Sequence, residues 1–405
     1  MTETVVIVGA GEAGGQTAIS LRQGGFTAPI VVIGDEGHVP YERPPLSKTY
    51  LAGEVGEERM HMRAPAFYIE KDITLRLRET VVHLDRPTNS VRLASGEHVP
   101  YRWLVLATGG RVRKMTVPGA DLPGVHYLRT IDDVAAYRDR LQAGLRLVIV
   151  GGGYIGLEVA AVAQKRGCKV TVLEMQPLVL NRVVAPEMSR FYTDVHSAAG
   201  VDIRTSTAVT AFEGDGKIER VRCGGQVFDA DLVIVGIGIV PNVELAAAAA
   251  LTIDNGIVVD DCTRTEDLNV LAVGDCANQP SGLYGGRMRL ESVPNALGQG
   301  KAAASVILGT PTPFTEVPWF WSDQYDLKLQ MTGLSQPGDS VVMRGDIAGR
   351  RFSACYLRDG VLVACHSVNM AKDFLQSKKL IAQKWRPDPA KLADGNAAMK
   401  DLAAS

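Results

Sequence analysis

The chain has 405 residues, 46% hydrophobic and 22% charged, with a net charge of −2, which leaves room for two or three domains with real cores and argues against a basic nucleic-acid binder. Its longest apolar runs, such as Leu232 to Pro241, are too short and too glycine-rich to span a bilayer. No basic segment leads into an apolar one at the start, so the reading is a cytoplasmic protein with no membrane partner. Residues 4–8 read as a short buried strand, 9–15 as a glycine turn, 16–23 as a helix and 29–33 as a second strand. A polar, proline-rich excursion follows (YERPPLSK, 41–48), then short strands at 90–93 and 103–107, the latter running into ATGGR. A second β-turn-α-β unit begins at Arg146, with strand 147–150, helix 154–166 and strand 169–173. Residues 231–242 and 270–277 again drive strands into glycines, and from about 316 alternating strands such as 351–357 and 361–367 suggest an antiparallel sheet. From Pro387 onward the chain reads as a loosely held helix or tail.

The chemistry is concentrated in the two glycine turns. Gly9, Gly11 and Gly14 have the spacing a strand-to-helix turn needs to admit a pyrophosphate, and Gly151, Gly153 and Gly156 repeat it. Asp35 lies 21 residues past Gly14 and Glu174 lies 18 past Gly156, each at a strand tip where a carboxylate can accept from a ribose hydroxyl. One such motif is weak; two, each with strand, helix and acid in place, point to two dinucleotides. Glu174 suits the free 2′-hydroxyl of NADH and repels the 2′-phosphate of NADPH. The first loop then needs a different dinucleotide, for which FAD is the natural choice, and the pair implies hydride transfer from nicotinamide to flavin. The six cysteines are scattered, none spaced as CxxC or set with histidines at metal spacing, so no metal site is expected.

In the order GAGEAG, YERPPLSK, ATGGR, GGGYIGLEVA, LVIVGIGIVPN, AVGDCA, ESVPNA and PWFWSDQY, the chain resembles the FAD-dependent NADH:ferredoxin reductase family. This is the putidaredoxin-reductase-like group of the glutathione-reductase-like superfamily, which also serves aromatic-ring dioxygenases. The resemblance implies an α/β fold: two Rossmann-like, three-layer ββα nucleotide-binding domains, the second inserted in the first, plus a C-terminal α+β domain with an antiparallel sheet. The expected boundaries are 1–110 and 236–315 for the FAD domain, 111–235 for the NADH domain and 316–405 for the C-terminal domain. By resemblance, Ala13 lies in the FAD loop, Asp35 meets the adenosine ribose, Val82 presents backbone to adenine and Arg129 reaches the dinucleotide. Lys48 sits beside flavin N5, where its charge would stabilise the reduced ring. Asp275, after Gly274, meets the ribityl or pyrophosphate segment, and Val293 opens the helix facing the N1–C2=O edge. Thr108, Gly109 and Gly238 complete the expected cofactor contacts, and Trp319, on one strand face with Trp321, covers the flavin edge. On the NADH side, Tyr154 and Ile155 follow Gly153, with Tyr154 an aromatic able to cover the empty nicotinamide site. Glu158, at i+4 from Tyr154, contacts nicotinamide and pairs with Lys48.

The superfamily's disulfide reductases carry a cysteine pair, but residues 41–62 hold no cysteine. Electrons are therefore expected to pass directly from FAD to a [2Fe–2S] ferredoxin that supplies a haem monooxygenase or ring-hydroxylating dioxygenase. An acidic ferredoxin would dock near the flavin edge, with Arg287, Arg289, Lys328, Lys378, Lys379, Lys384 and Arg386 as candidate basic contacts. The alternatives are an NADH-dependent flavin oxidase or peroxidase, or a flavin-binding redox sensor. A monomer or weak homodimer is expected.

Overall fold

The computed structural model describes residues 3–404. The chain divides into two compact units: 1–43, 57–111 and 239–316 form the first, and 44–56, 112–238 and 317–405 the second. The chain leaves and re-enters the first unit, and the short segment 44–56 belongs with the second.

Each unit is built on a five-stranded parallel sheet. In the first, the order is Val270–Ala272, Trp103–Leu106, Val5–Val8, Ile30–Gly34, Ile73–Leu77. In the second it is Val125–Tyr127, Leu232–Val235, Arg146–Val150, Lys169–Leu173, Asp202–Arg204. The central strands, VVIV and RLVIV, are aliphatic almost throughout because helices and small sheets cover both faces. Antiparallel three-stranded sheets flank each, at 81–100 in the first unit and 211–229 in the second. The C-terminal part is an antiparallel five-stranded sheet, ordered Trp319–Gln324, Leu327–Gly333, Val361–Val368, Arg351–Arg358, Ser340–Asp346. This is the α/β architecture with two parallel-sheet nucleotide folds and a C-terminal α+β portion.

The second unit holds its parallel sheet and its C-terminal sheet together because they share a core. Leu157, Met188, Phe191 and Tyr192 pack in one buried cluster with Leu329, Phe352, Ala354 and Tyr356. Apolar area shared this way is removed from water at about 25 cal/mol per Å².

Two local expectations are corrected. The first helix begins at Glu12, not Gln16; only Gly9 to Gly11 turn, and Gly14 and Gly15 lie inside the helix where close neighbours leave no room for a side chain. A Cβ on Gly14 would stand 2.0 Å from the Gly9 carbonyl oxygen. The run 231–242 does drive a strand, Leu232–Val235, into glycines, and a second short strand, Ile239–Pro241, follows them. The C-terminal stretch is held rather than loose: Leu392 and Met399 are fully buried. Arg344 ties this stretch down by donating to the carbonyls of Leu392 and Ala397 while it pairs with Asp373 at 2.9 Å. None of the described helices is long and apolar enough to cross a membrane.

Candidate active site

The two glycine loops are built alike. Gly9 and Gly151 take φ of +116° and +110°, and a Cβ on either would strike a backbone carbonyl, Ala107 at 2.1 Å or Gly236 at 2.4 Å. Gly156 is equally confined, 2.1 Å from the Gly151 oxygen. The middle glycines differ. Gly11 and Gly153 have ordinary extended backbone (φ −79° and −80°). A Cβ on Gly153 would meet nothing within 4 Å, and one on Gly11 only the Arg43 guanidinium at 3.9 Å. No packing within the protein demands glycine there. Both residues cap helices of 12 residues, and neither cap offers a side-chain acceptor to the first-turn amides. An open cradle whose first-turn amides have no side-chain acceptor at the cap fits a phosphate, which is the test the site passes for dinucleotides at both loops.

The acids at the strand tips are not equivalent. Val8 pairs with Ile33 and Val150 with Leu173, so Glu174 occupies the position of Gly34, one residue before Asp35. In the first unit, a Cβ on Gly34 would stand 2.6 Å from Ala10 Cβ; in the second, Gly152 replaces the alanine and leaves space for Glu174. Glu174 accepts from the amides of Gly152 and Gln176, both at 2.7 Å, so its carboxylate is fixed against the loop. Asp35 is exposed at its tip.

Lys48 and Glu158 meet, both within the second unit. Lys48 Nζ lies 2.7 Å from Glu158 Oε2, and Ser47 Oγ donates to the same oxygen at 2.5 Å. Ser322 Oγ donates to Oε1 at 2.5 Å. Glu158 is 3% exposed, so these three donors satisfy a carboxylate taken out of water. The geometry follows from matching repeats. Four helical residues rise about 6 Å and two strand residues about 6.6 Å. Tyr154 and Glu158 therefore align with Phe320 and Ser322. Tyr154 packs on Phe320 with ring centroids 4.9 Å apart and lies 3.0 Å from Met331 Sδ through its hydroxyl. Burial, then Tyr356, Tyr192 and Glu158, raise its phenol well above the ordinary range. Trp319 and Trp321 share the opposite strand face, 5.6 Å apart, with Trp319 against Phe374.

The other expected residues fall as follows. In the first unit, Thr108 Oγ1 donates to the Asn242 carbonyl at 2.7 Å and the Asn242 amide donates to Gly109 O at 2.9 Å, joining ATGGR to IVPN. Ala13 lies in the first helix, its Cβ 3.0 Å from where a Cβ on Gly274 would be, which brings Asp275 to the same loop. Val82 lies at a β-bulge, outside the regular pairing of its strand. Val293 begins a helix capped by Ser292. In the second unit, Arg129 donates its backbone amide to Asp133, Gly238 takes φ +101°, and Ile155 is exposed on the first helical turn. Of the basic candidates, Arg287 donates to the carbonyls of Val259 and Asn278, and Arg289 pairs with Glu291 at 2.7 Å. No group of described residues is arranged to hold a metal ion.

Residues not anticipated from sequence are Ser47 and Ser322, which fix Glu158, and Arg43, which stands over Gly11. Arg43 was legible as the arginine inside YERPPLSK; Ser322 had no local signal. Cys355 and Cys365, ten residues apart, meet across paired strands with Sγ atoms 3.7 Å apart.

Two phosphate cradles on duplicated parallel sheets, with a buried lysine–glutamate pair, define a two-dinucleotide oxidoreductase. Residues 3–300 match the pyridine nucleotide-disulphide oxidoreductases and residues 319–403 match the reductase C-terminal domain; the chain belongs to this family. It is 43% identical to putidaredoxin reductase CamA of Pseudomonas putida, covering 100% of this chain and 97% of that one. It is also 43% identical to rhodocoxin reductase of Rhodococcus erythropolis, covering 96% and 92%. The covalent putidaredoxin reductase–putidaredoxin complex superposes with a TM-score of 0.96, at 43% identity over 99% of this chain and 98% of that one.

Proposed function

We propose that the chain is an FAD-containing ferredoxin–NAD(+) reductase that takes hydride from NADH and passes single electrons to a [2Fe–2S] ferredoxin. That ferredoxin would supply a haem monooxygenase or a ring-hydroxylating dioxygenase. The observation that carries this reading is the pair of middle glycines, Gly11 and Gly153, each required by nothing in the protein and each facing an open helix N-terminus. The likeness to ferredoxin reductases, with no cysteine between residues 41 and 62, supports direct delivery to an iron–sulfur acceptor over relay through a dithiol.

FAD, when bound, accepts a two-electron hydride and releases electrons singly. The protein's own work is positional and electrostatic. Gly9, Gly11, Ala13 and Gly14, with Asp35, Val82, Thr108, Gly109, Gly274, Asp275 and Val293, are the proposed FAD residues, and Arg129 and Trp319 are carried as cofactor residues by resemblance. Gly151, Gly153, Tyr154, Ile155, Gly156 and Gly238 are proposed for NADH, with Glu174 accepting from its ribose. Glu158 holds Lys48 in place, and Lys48 offers its charge to the reacting atoms. The first unit is proposed as the FAD domain and residues 112–238 as the NADH domain, in a cytoplasmic protein. A protein purified with flavin absorbance that NADH bleaches anaerobically, and NADPH bleaches far more slowly, would support this reading. A protein without flavin, or with flavin that neither nucleotide bleaches, would overturn it.

A further inference from the structure

The first phosphate loop reads Gly9-Ala-Gly-Glu-Ala-Gly14, and its Glu12 competes with the ligand proposed for that loop. A carboxylate in the first turn of a helix is favoured by the helix dipole, but a pyrophosphate needs the same amides and the same dipole. Glu12 is the first residue of the helix, and its Oε1 is buried with no hydrogen-bond partner. Burial pushes its carboxyl up to about 7; Asp275 and Glu42 push the same way, while the charge and backbone amide of Arg43 oppose them.

Among the described residues, Arg43 is the cation whose charge opposes the shift of this carboxyl, and it is shared. Its guanidinium pairs with Glu36 Oε1 at 2.5 Å and donates to the Tyr41 hydroxyl at 2.9 Å. The same guanidinium stands beside Gly11, where a phosphate would arrive. Glu36 and an incoming phosphate add their own negative charge around the same guanidinium, and that repulsion disfavours the Glu12 carboxylate.

We infer that FAD binding at this loop takes up a proton on Glu12, so that the bound state holds Glu12 as a neutral carboxylic acid and flavin is held less firmly as that proton is lost. This rests on the proposed placement of FAD. The sign follows from linkage. Pyrophosphate disfavours the carboxylate, so the bound state has the higher affinity for the proton. Below about pH 7 both states are protonated and affinity is level. Above it, binding consumes a proton, and affinity falls by up to about tenfold per pH unit until the bound state also ionises.

The test is the equilibrium affinity for FAD, titrated into partly depleted protein and read from the change in flavin fluorescence between pH 6 and 9. Wild type and Glu12→Asp should bind FAD several-fold to about tenfold more weakly per pH unit above 7. Glu12→Gln, neutral throughout, should bind tightly and without pH dependence across that range. Equal pH slopes in wild type and Glu12→Gln would overturn the inference, as would a flat profile in wild type. Should Glu12→Gln fail to fold, wild type alone decides: titrating FAD into partly depleted protein at pH 8, in two buffers of different ionisation enthalpy, should show net proton uptake, and none would refute it. If Gly153→Ala rather than Gly11→Ala loses FAD, the placement itself has failed; an FAD-replete protein without pH linkage defeats only the proton inference.

Discussion

Replacing Glu158 with glutamine keeps the shape of the side chain and removes its charge. Three donors converge on this carboxylate, Lys48, Ser47 and Ser322, and the site is nearly closed to water. Removing one partner of a fully buried pair costs about 3–5 kcal/mol. Lys48 is 17% exposed, so part of its charge can be rehydrated and the expectation falls to about 2–3 kcal/mol. Glutamine also presents an amide NH2 that must face one of the three donors. Lys48→Met should be destabilising too, because it leaves a buried carboxylate with only two hydroxyls. The double variant should cost less than the sum of the two by at least about 1 kcal/mol, the signature of a direct pair. Ser322→Ala, which removes one hydrogen bond to a charged group, should cost about 1.5 kcal/mol or more. The assay is urea unfolding followed by tryptophan emission, which reports chiefly the second unit because Trp319, Trp321 and Trp385 lie in it and Trp103 does not. An unchanged midpoint for Glu158→Gln, or strict additivity in the cycle, would refute the argument.

The two middle glycines separate binding from folding: Gly153→Ala should fold with wild-type stability and raise the KM for NADH at least about tenfold, since the added methyl meets only space meant for ligand. Gly156→Ala, by contrast, drives a Cβ into the Gly151 carbonyl and should lower the yield of folded protein, seen by circular dichroism. Glu174→Arg should lower kcat/KM for NADH and raise it for NADPH, but because Glu174 also holds the amides of Gly152 and Gln176, the NADH loss should exceed the NADPH gain. Truncation before Pro389 strips two carbonyl acceptors from the buried Arg344 and should destabilise the second unit by about 1–3 kcal/mol per group left unsatisfied, read from the same urea midpoint.

What was legible in the sequence was whatever is written locally. The strand–glycine–helix units announce themselves within thirty residues because hydrophobic runs, tight turns and helix starts each have their own period and residue type. The Lys48–Glu158 pair, 110 residues apart, was reached only through resemblance, and the structure brings the two together. The remaining donors on Glu158 were hidden because Ser322 is 164 residues away in sequence and an ordinary serine by type. The acids at the strand tips looked like repeats by spacing, yet one residue of register separates Gly34 from Asp35, and only strand pairing reveals it. The first helix begins at Glu12, four residues before Gln16, because Gly14 and Gly15 serve close packing inside it rather than a turn. The tail looked loose because its anchor, Arg344, is contributed by a distant strand.

One chain is expected to accept hydride from NADH and deliver single electrons to an iron–sulfur protein. This is tested most directly by anaerobic stopped-flow mixing of the FAD-loaded protein with NADH and then with an oxidised [2Fe–2S] ferredoxin, following flavin and cluster absorbance together. The account predicts rapid flavin bleaching, then flavin reoxidation as two equivalents of ferredoxin are reduced. Flavin that NADH reduces but that no ferredoxin from the oxygenase systems of its relatives reoxidises faster than molecular oxygen does would contradict it.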